Sequence, residues 1–418
     1  MDIEELERNL FKNIKNLPVG CQYCIRGEKL VLFITGLCGE NCFYCPVSEN
    51  RKEKDIIYAN ERKINSVEEA INEAHLCGSK GVGITGGNPL LKIERTCEYI
   101  GALKNEFNSN FHTHLYTTPT HLDEDKLKML KNAGLDEIRL HPTKFFNIYG
   151  KKDFDSEDFK TYMDDFLNKL KLCMKYIKDV GVEIPVIPNM EEEIIYLAEE
   201  LNRIGVKFLN INELEYSETN YNNLKHRGFK EKNDYASEIL GSEETAKKVI
   251  DYFKEKKKVE TEKDESNTIN KFNLIIHYCP SALKDGIQMK NRLINRAKNT
   301  AKDYDIITNE GLILRGIISF NDLENIKDII DILDYNELPY EVVNNNIYLN
   351  PYVLEDLIDE LKNMDYNINF SAYISERYPT SDGLEVERTP LIVKKRSLKS
   401  IRRRKNKKIK IEGKINLK

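Results

Sequence analysis

The sequence predicts an α/β chain: a partial (β/α)6 barrel over residues 30–216, followed by a smaller α+β module over residues 310–393. Three observations carry this. Short apolar runs alternate with stretches of helical period six times in about 190 residues, the rhythm of a parallel sheet covered by helices. Capping signals fall where that rhythm puts helix ends: Ser66 with Glu69 three residues on, Asp123 at a start, and Gly134 and Gly205 at stops. Beyond residue 310 the order changes to β-α-β-β-α-β, which suggests a ferredoxin-like sandwich.

Residues 30–35 form the first strand, a continuous apolar run of the kind that is buried on both faces. A helix from Ser66 to about Gly78 leads to strand 81–85, and a helix over 95–105 leads to strand 114–117. The step from Asp123 through Leu127, Leu130 and Gly134 into strand 137–140 is the clearest βαβ unit. Helix 154–180, strand 183–187, helix 194–204 and strand 208–214 complete the repeats. Residues 217–309 read as a connecting segment with a helix from Ser242, a charge-dense run over 254–267 and a strand at 273–277. The module follows with strand 312–318, helix 323–333, strands around 340–349, helix 354–364 and strands 368–374 and 384–393. Residues 1–29 form an N-terminal extension.

Composition narrows the class. Of 418 residues, 40% are hydrophobic and 32% charged, which excludes a disordered or collagen-like chain. The acidic start lacks the order of a secretory signal, and no apolar run is long enough for a membrane helix, so a cytoplasmic address is expected. Nine cysteines in that setting argue against a disulfide framework, and five of them crowd between Cys21 and Cys45, which points to metal. Net charge is −5, yet residues 394–418 hold thirteen Lys and Arg against the single acid Glu412. That basic tail suits an anionic partner such as RNA, or simply solvent. A basic amphipathic helix expected over 284–298 carries the same two readings.

The chemistry centres on Cys38, Cys42 and Cys45, spaced three then two residues apart just past the first strand. Such thiolates reach three corners of one cubane cluster and leave one iron open. Zinc also takes thiolates, but prefers four ligands from two separated pairs. The segment Cys38-Gly39-Glu40-Asn41-Cys42-Phe43-Tyr44-Cys45 resembles the CxxxCxΦC motif of the radical SAM superfamily, with Tyr44 as its aromatic. Thr85-Gly86-Gly87-Asn88-Pro89, after the second strand, resembles the family's GGEP element, with Asn88 where Glu is usual.

The resemblance implies a 4Fe-4S cluster whose open iron chelates S-adenosylmethionine, and a 5′-deoxyadenosyl radical that abstracts hydrogen. It also implies an electron donor as partner. Tyr44 is expected to back the adenine, and Gly86, Gly87 and Asn88 to meet the methionyl amine. Within that superfamily the chain resembles archaeal proteins related to pyruvate formate-lyase activating enzyme. Position at strand ends adds Thr117, Arg139, His141, Asn189, Glu213 and Glu215 as candidate contacts, Asn189 foremost.

Further cysteines sit outside the motif. Cys21 and Cys24 form a CxxC, and His277 and Cys279 stand near the end of a late strand; together they could hold zinc or an auxiliary cluster. Cys279 alone could instead donate hydrogen or carry a radical. Cys77, Cys97 and Cys173 read as helix-borne core residues. The substrate stays open. A tRNA base is favoured slightly by the basic tail; a protein glycyl radical or peptide side chain is the alternative, and a non-catalytic metal-containing RNA-binding protein is the reading from another class.

Overall fold

In the computed structural model, residues 11–148, 156–263, 272–320, 326–364 and 370–391 are described. The chain forms two compact units, Met1–Asn291 and Arg292–Lys418.

The first unit opens with helix α1 (Val19–Ile25) and strand β1 (Lys29–Phe33). A hairpin, β2 (Ile57–Ala59) and β3 (Arg62–Ile64), follows the cysteine loop and pairs antiparallel beside β1. Next come α2 (Val67–Leu76), β4 (Gly81–Thr85), α3 (Ile93–Phe107), β5 (His112–Thr117), α4 (Glu124–Ala133) and β6 (Glu137–Leu140). Then follow α5 (Glu157–Tyr176), β7 (Asp179–Val186), α6 (Glu191–Ile204), β8 (Phe208–Glu213), α7 (Tyr221–His226), α8 (Ser242–Lys263) and β9 (Ile275–Cys279). The sheet order is β3-β2-β1-β4-β5-β6-β7-β8-β9, with β1 and β4 to β9 all parallel.

The expected caps form: Ser66 Oγ accepts from Glu69 N–H, Asp123 from Lys126 N–H, and Gly134 and Gly205 take left-handed backbone. Two boundaries differ from expectation. The stretch read as helix to residue 180 leaves the helix after Tyr176 and is extended at Ile177, because β7 starts early enough to pair Asp179 with Glu137. The strand assigned to the connector is β9, a seventh parallel strand paired along β8 from Phe208 to Asn212, so the barrel sheet continues past residue 216. The intervening insertion hid it: among the described residues of 217–274 there is no further parallel strand, which breaks the βα rhythm.

Alternation along the strands separates two environments. Ile138, Leu140, Leu115, Val182, Leu209 and Ile211 pack into the large apolar core with the helices. The other face carries polar side chains, among them Tyr116, Arg139, Glu183, Asn210 and His277, which line a cavity. After β9, a helical turn (Ser281–Leu283) continues as a π-helical stretch, Lys284–Met289.

The second unit begins at Arg292, within α9 (Lys290–Thr300), and continues with β10 (Ile306–Ile307), β11 (Ile313–Phe320), α10 (Ile326–Tyr335), β12 (Tyr340–Val343), β13 (Asn346–Leu349), α11 (Pro351–Asn363), β14 (Phe370–Arg377) and β15 (Glu385–Pro390). Its antiparallel sheet runs β12-β13-β11-β14-β15, the ferredoxin-like order extended by one edge strand. Ile318, Phe320, Leu333, Leu349, Leu357 and Leu361 make its core. The basic helix expected over 284–298 is thus a π stretch followed by α9. Two of its cations are committed: Lys284 pairs with Glu215 at 2.6 Å, and buried Arg296 donates to the Pro379 carbonyl. The tail 394–418 lies outside the described residues. Among the described residues no helix is long and apolar enough to cross a membrane.

Candidate active site

A cavity of about 620 Å³ opens at the C-terminal ends of the parallel strands, lined by Cys38, Cys42 and Cys45 together with Tyr44, Gly86, Gly87, Thr117 and His141. These eight expected site residues therefore meet at one place, where α/β barrels carry their chemistry.

The cysteine loop leaves β1 and is tied down along its length. Gly87 N–H donates to Thr35 O and Asn88 N–H to Leu37 O, both at 2.7 Å. Thr219 Oγ1 donates to Cys45 O and Asn220 Nδ2 to Tyr44 O, each at 3.1 Å. Gly86 has φ +150°, and a Cβ there would stand 2.4 Å from Thr35 O; at Gly87 a Cβ would stand 2.3 Å from Leu37 O. The glycines thus let the turn press against the loop that bears Cys38. Asp55 braces the same loop, accepting from Thr35 Oγ1 and from Arg95. The Arg95 guanidinium, with Lys92 and Thr35, holds the Asp55 carboxyl below the usual carboxylate range.

Tyr44 is buried, and its hydroxyl lies 2.7 Å from His141 Nε2. His141 Nδ1 is 2.9 Å from Glu183 O, which can only accept, so the proton is assigned to Nδ1 and Tyr44 donates to Nε2. Burial lowers the His141 pKa, consistent with this neutral ring. Burial likewise raises the Cys38 thiol, and raises Cys42 to about 11, with the neighbouring Tyr44 hydroxyl lowering it in part. Such thiols stay protonated unless a cation offsets the cost of the charge.

Two expectations fail. Asn88 is fully buried and does not line the cavity. Its Oδ1 accepts from Thr117 Oγ1 and Leu90 N–H, and its Nδ2 donates to Thr118 Oγ1, so the side chain is spent joining the β4 turn to the end of β5. Asn189 is exposed and lies outside the cavity lining. With φ +63° it makes the turn after β7, and its N–H donates to Thr245 Oγ1. β7 lines the cavity with Glu183, Ile184 and Pro185, and the charged one, Glu183, lies three residues inside the strand end.

The cavity floor is a network that sequence reading largely missed. Arg139 donates to Glu137 (2.6 Å), Glu183 (2.8 Å) and the Tyr116 hydroxyl (3.1 Å). Glu183 also accepts from Asn210 and Asn212. A signal existed: Asn210 and Asn212 alternate with Leu209 and Ile211 along an otherwise apolar strand. Glu213 accepts from Ser281 N–H, and Glu215 pairs with Lys284. Cys21 and Cys24 rise into the floor from α1, and His277 and Cys279 face it from β9. Among the described residues no three His, Cys, Asp or Glu side chains converge on one point as a single ion requires. The thiolates of a cubane bind different irons, so a cluster needs no such convergence.

The comparisons agree with this geometry. The profile of the radical SAM superfamily matches residues 32–204, and that of a domain of unknown function, DUF8061, matches 311–391. A Methanocaldococcus jannaschii protein, provisionally named a glycyl-radical enzyme activating enzyme, is 57% identical over 404 residues, 97% of this chain and 100% of that one. A second, uncharacterized M. jannaschii protein is 28% identical over 195 residues, covering 47% of this chain and 60% of its own. Among solved structures, Streptococcus suis SuiB bound to S-adenosylmethionine aligns with TM-score 0.40 and 12% identity over 61% of this chain; the match spans about half, 51%, of that chain. By its full-length relative and its matched core, the chain belongs to the radical SAM superfamily, enzymes that work with a 4Fe-4S cluster and S-adenosylmethionine.

Proposed function

We propose that the chain acts on a polypeptide, as an activating enzyme that installs a glycyl radical in a partner protein or modifies a peptide side chain. The observation that carries this reading is the full-length 57% identity to a protein named for glycyl-radical enzyme activation. The tRNA reading lacks comparable support, since its basic tail lies outside the described residues and Lys284 and Arg296 of its basic helix are engaged within the fold.

In this reading Cys38, Cys42 and Cys45 hold the cluster, and the Gly86-Gly87 turn, Tyr44 and Thr117 border S-adenosylmethionine. Once bound, these groups supply a 5′-deoxyadenosyl radical able to take a hydrogen atom from an unreactive carbon. The chain's own part is positional. Thr35, Leu37, Thr219 and Asn220 fix the cysteine loop, and His141 holds the Tyr44 ring by its hydroxyl. The cavity walls keep water from the reacting carbon. An external electron donor completes the set of partners.

Anaerobically reconstituted protein given dithionite and S-adenosylmethionine should release 5′-deoxyadenosine, and Cys42→Ala should abolish it. Adding a glycyl-radical enzyme encoded by the same genome should then give the doublet electron paramagnetic resonance signal of a glycyl radical. If deoxyadenosine forms but a deletion strain shows altered tRNA nucleosides and an unchanged proteome, the polypeptide reading is wrong.

A further inference from the structure

We infer that the floor of the cavity is a second metal site, in which Cys21 and Cys24 of α1 and His277 and Cys279 of β9 bind a thiophilic centre, either zinc or an iron–sulfur cluster. The family assignment uses none of these four residues. Sequence separates the two pairs by more than 250 positions, yet all four border the one cavity that the motif cysteines also line.

Three observations point to a ligand. First, the sulfurs are surrounded by donors and cations. Arg139 Nη2 and Asn210 Nδ2 lie 3.4 and 3.2 Å from Cys21 Sγ, and Gln288 Nε2 lies 3.6 Å from Cys279 Sγ. A neutral thiol is a weak acceptor, whereas a metal-bound thiolate is stabilised by such N–H contacts. Each thiol also has its own positive neighbour: Arg139 for Cys21, Lys29 for Cys24 and Lys284 for Cys279. Second, His277 is 4% exposed, and its Nε2 is buried without a hydrogen-bond partner. An imidazole nitrogen left so is costly, and a metal ion would satisfy it. Third, the segment after β9 that brings Lys284 and Gln288 to the cavity is π-helical, a local departure that recurs where a helix serves a site.

Softness decides the class of metal. Three thiols and one imidazole suit zinc or iron–sulfur chemistry and disfavour magnesium or calcium, which take oxygen ligands. The four donors do not converge on a point in this arrangement. Cys21 and Cys279 are in contact with their N–H donors, so binding requires these side chains to change rotamer.

The test uses the full chain purified anaerobically with Cys38, Cys42 and Cys45 all changed to Ala, which removes the motif ligands. One portion is treated with Zn²⁺, another with Fe²⁺, sulfide and thiol, and both are desalted before metal and sulfide are measured. The site predicts retention of about one zinc in the first arm or a cluster's complement of iron and sulfide in the second, and loss of that metal when Cys21→Ser and Cys24→Ser are added. Retention in neither arm by protein with native circular dichroism overturns the inference, as does retention that survives the added serines. Should the triple variant not fold, Cys279→Ala in the otherwise native chain must lower metal content from two centres to one; unchanged content overturns the site. Failure to form deoxyadenosine with the floor metal intact would instead count against the proposed function.

Discussion

Arg139→Leu tests whether the polar barrel interior holds the fold together. Arg139 is 2% exposed, and its partner Glu137 is fully buried. The substitution removes the contacts to Glu137 at 2.6 Å and to Glu183 at 2.8 Å. The two acids do not suffer equally. Glu183 keeps Asn210 and Asn212 as donors, whereas Glu137 keeps Gly20 N–H, with His112 3.6 Å away. In the wild type, burial, Lys29 and Arg139 together lower the His112 pKa to about 2; burial, the largest of these causes, and Lys29 persist in the variant and disfavour a compensating imidazolium. Breaking a buried ion pair on one side costs about 3–5 kcal/mol, equivalent to roughly two to four powers of ten in the unfolding constant.

Urea denaturation followed by far-ultraviolet circular dichroism measures this; the chain has no Trp to serve as a fluorescent probe. The cost is that of the stranded Glu137 carboxylate, a buried charge left without its cation. Adding Glu137→Gln should recover most of the stability by removing that charge. A loss under about 1 kcal/mol would refute the reasoning, because it would mean Glu137 is compensated elsewhere.

Three further outcomes follow from the loop. Gly86→Ala forces a Cβ to within 2.4 Å of Thr35 O, so the turn must move by a cost of about 1–3 kcal/mol; reconstituted protein should lose most of its iron by colorimetric assay. Asn88→Ala removes three hydrogen bonds and should destabilise by about 2–3 kcal/mol in the same urea experiment, while calorimetry finds the affinity for S-adenosylmethionine nearly unchanged, since the side chain does not reach the cavity. Asp55→Asn should cost about 1 kcal/mol for a partly exposed pair; because the folded Asp55 pKa is depressed, the difference from wild type is full above about pH 4 and vanishes as pH falls through the folded value.

The alternation of apolar runs and helical faces made the barrel legible because each βα step is local: Asp123 to Gly134 contains its own start and stop. β9 was legible as a strand but not as part of the sheet, since its pairing with β8 crosses a long insertion. The motif cysteines were legible because their spacing is itself the chemistry. Asn88 and Asn189 misled for one physical reason: a polar residue just past a strand faces the cavity or makes the turn, and only backbone torsions and partners decide. Glu183 was passed over because sequence alone does not say which parity of a buried strand points inward.

That inward parity explains why the N-terminal extension belongs to the site. Barrel interiors are usually packed by branched aliphatic side chains, but here the inward positions include Lys29, His112, Glu137, Arg139, Glu183 and Asn210, which no apolar layer could satisfy. Helix α1 answers that need. Gly20 N–H donates to Glu137, and a Cβ at Gly20 would stand 2.5 Å from Arg139 Nη2, so only glycine admits the helix so close. The same approach places Cys21 within reach of Arg139 and Asn210. Closing the floor and delivering its thiols are thus one structural act, and the charge that makes the interior costly is what holds α1 in place.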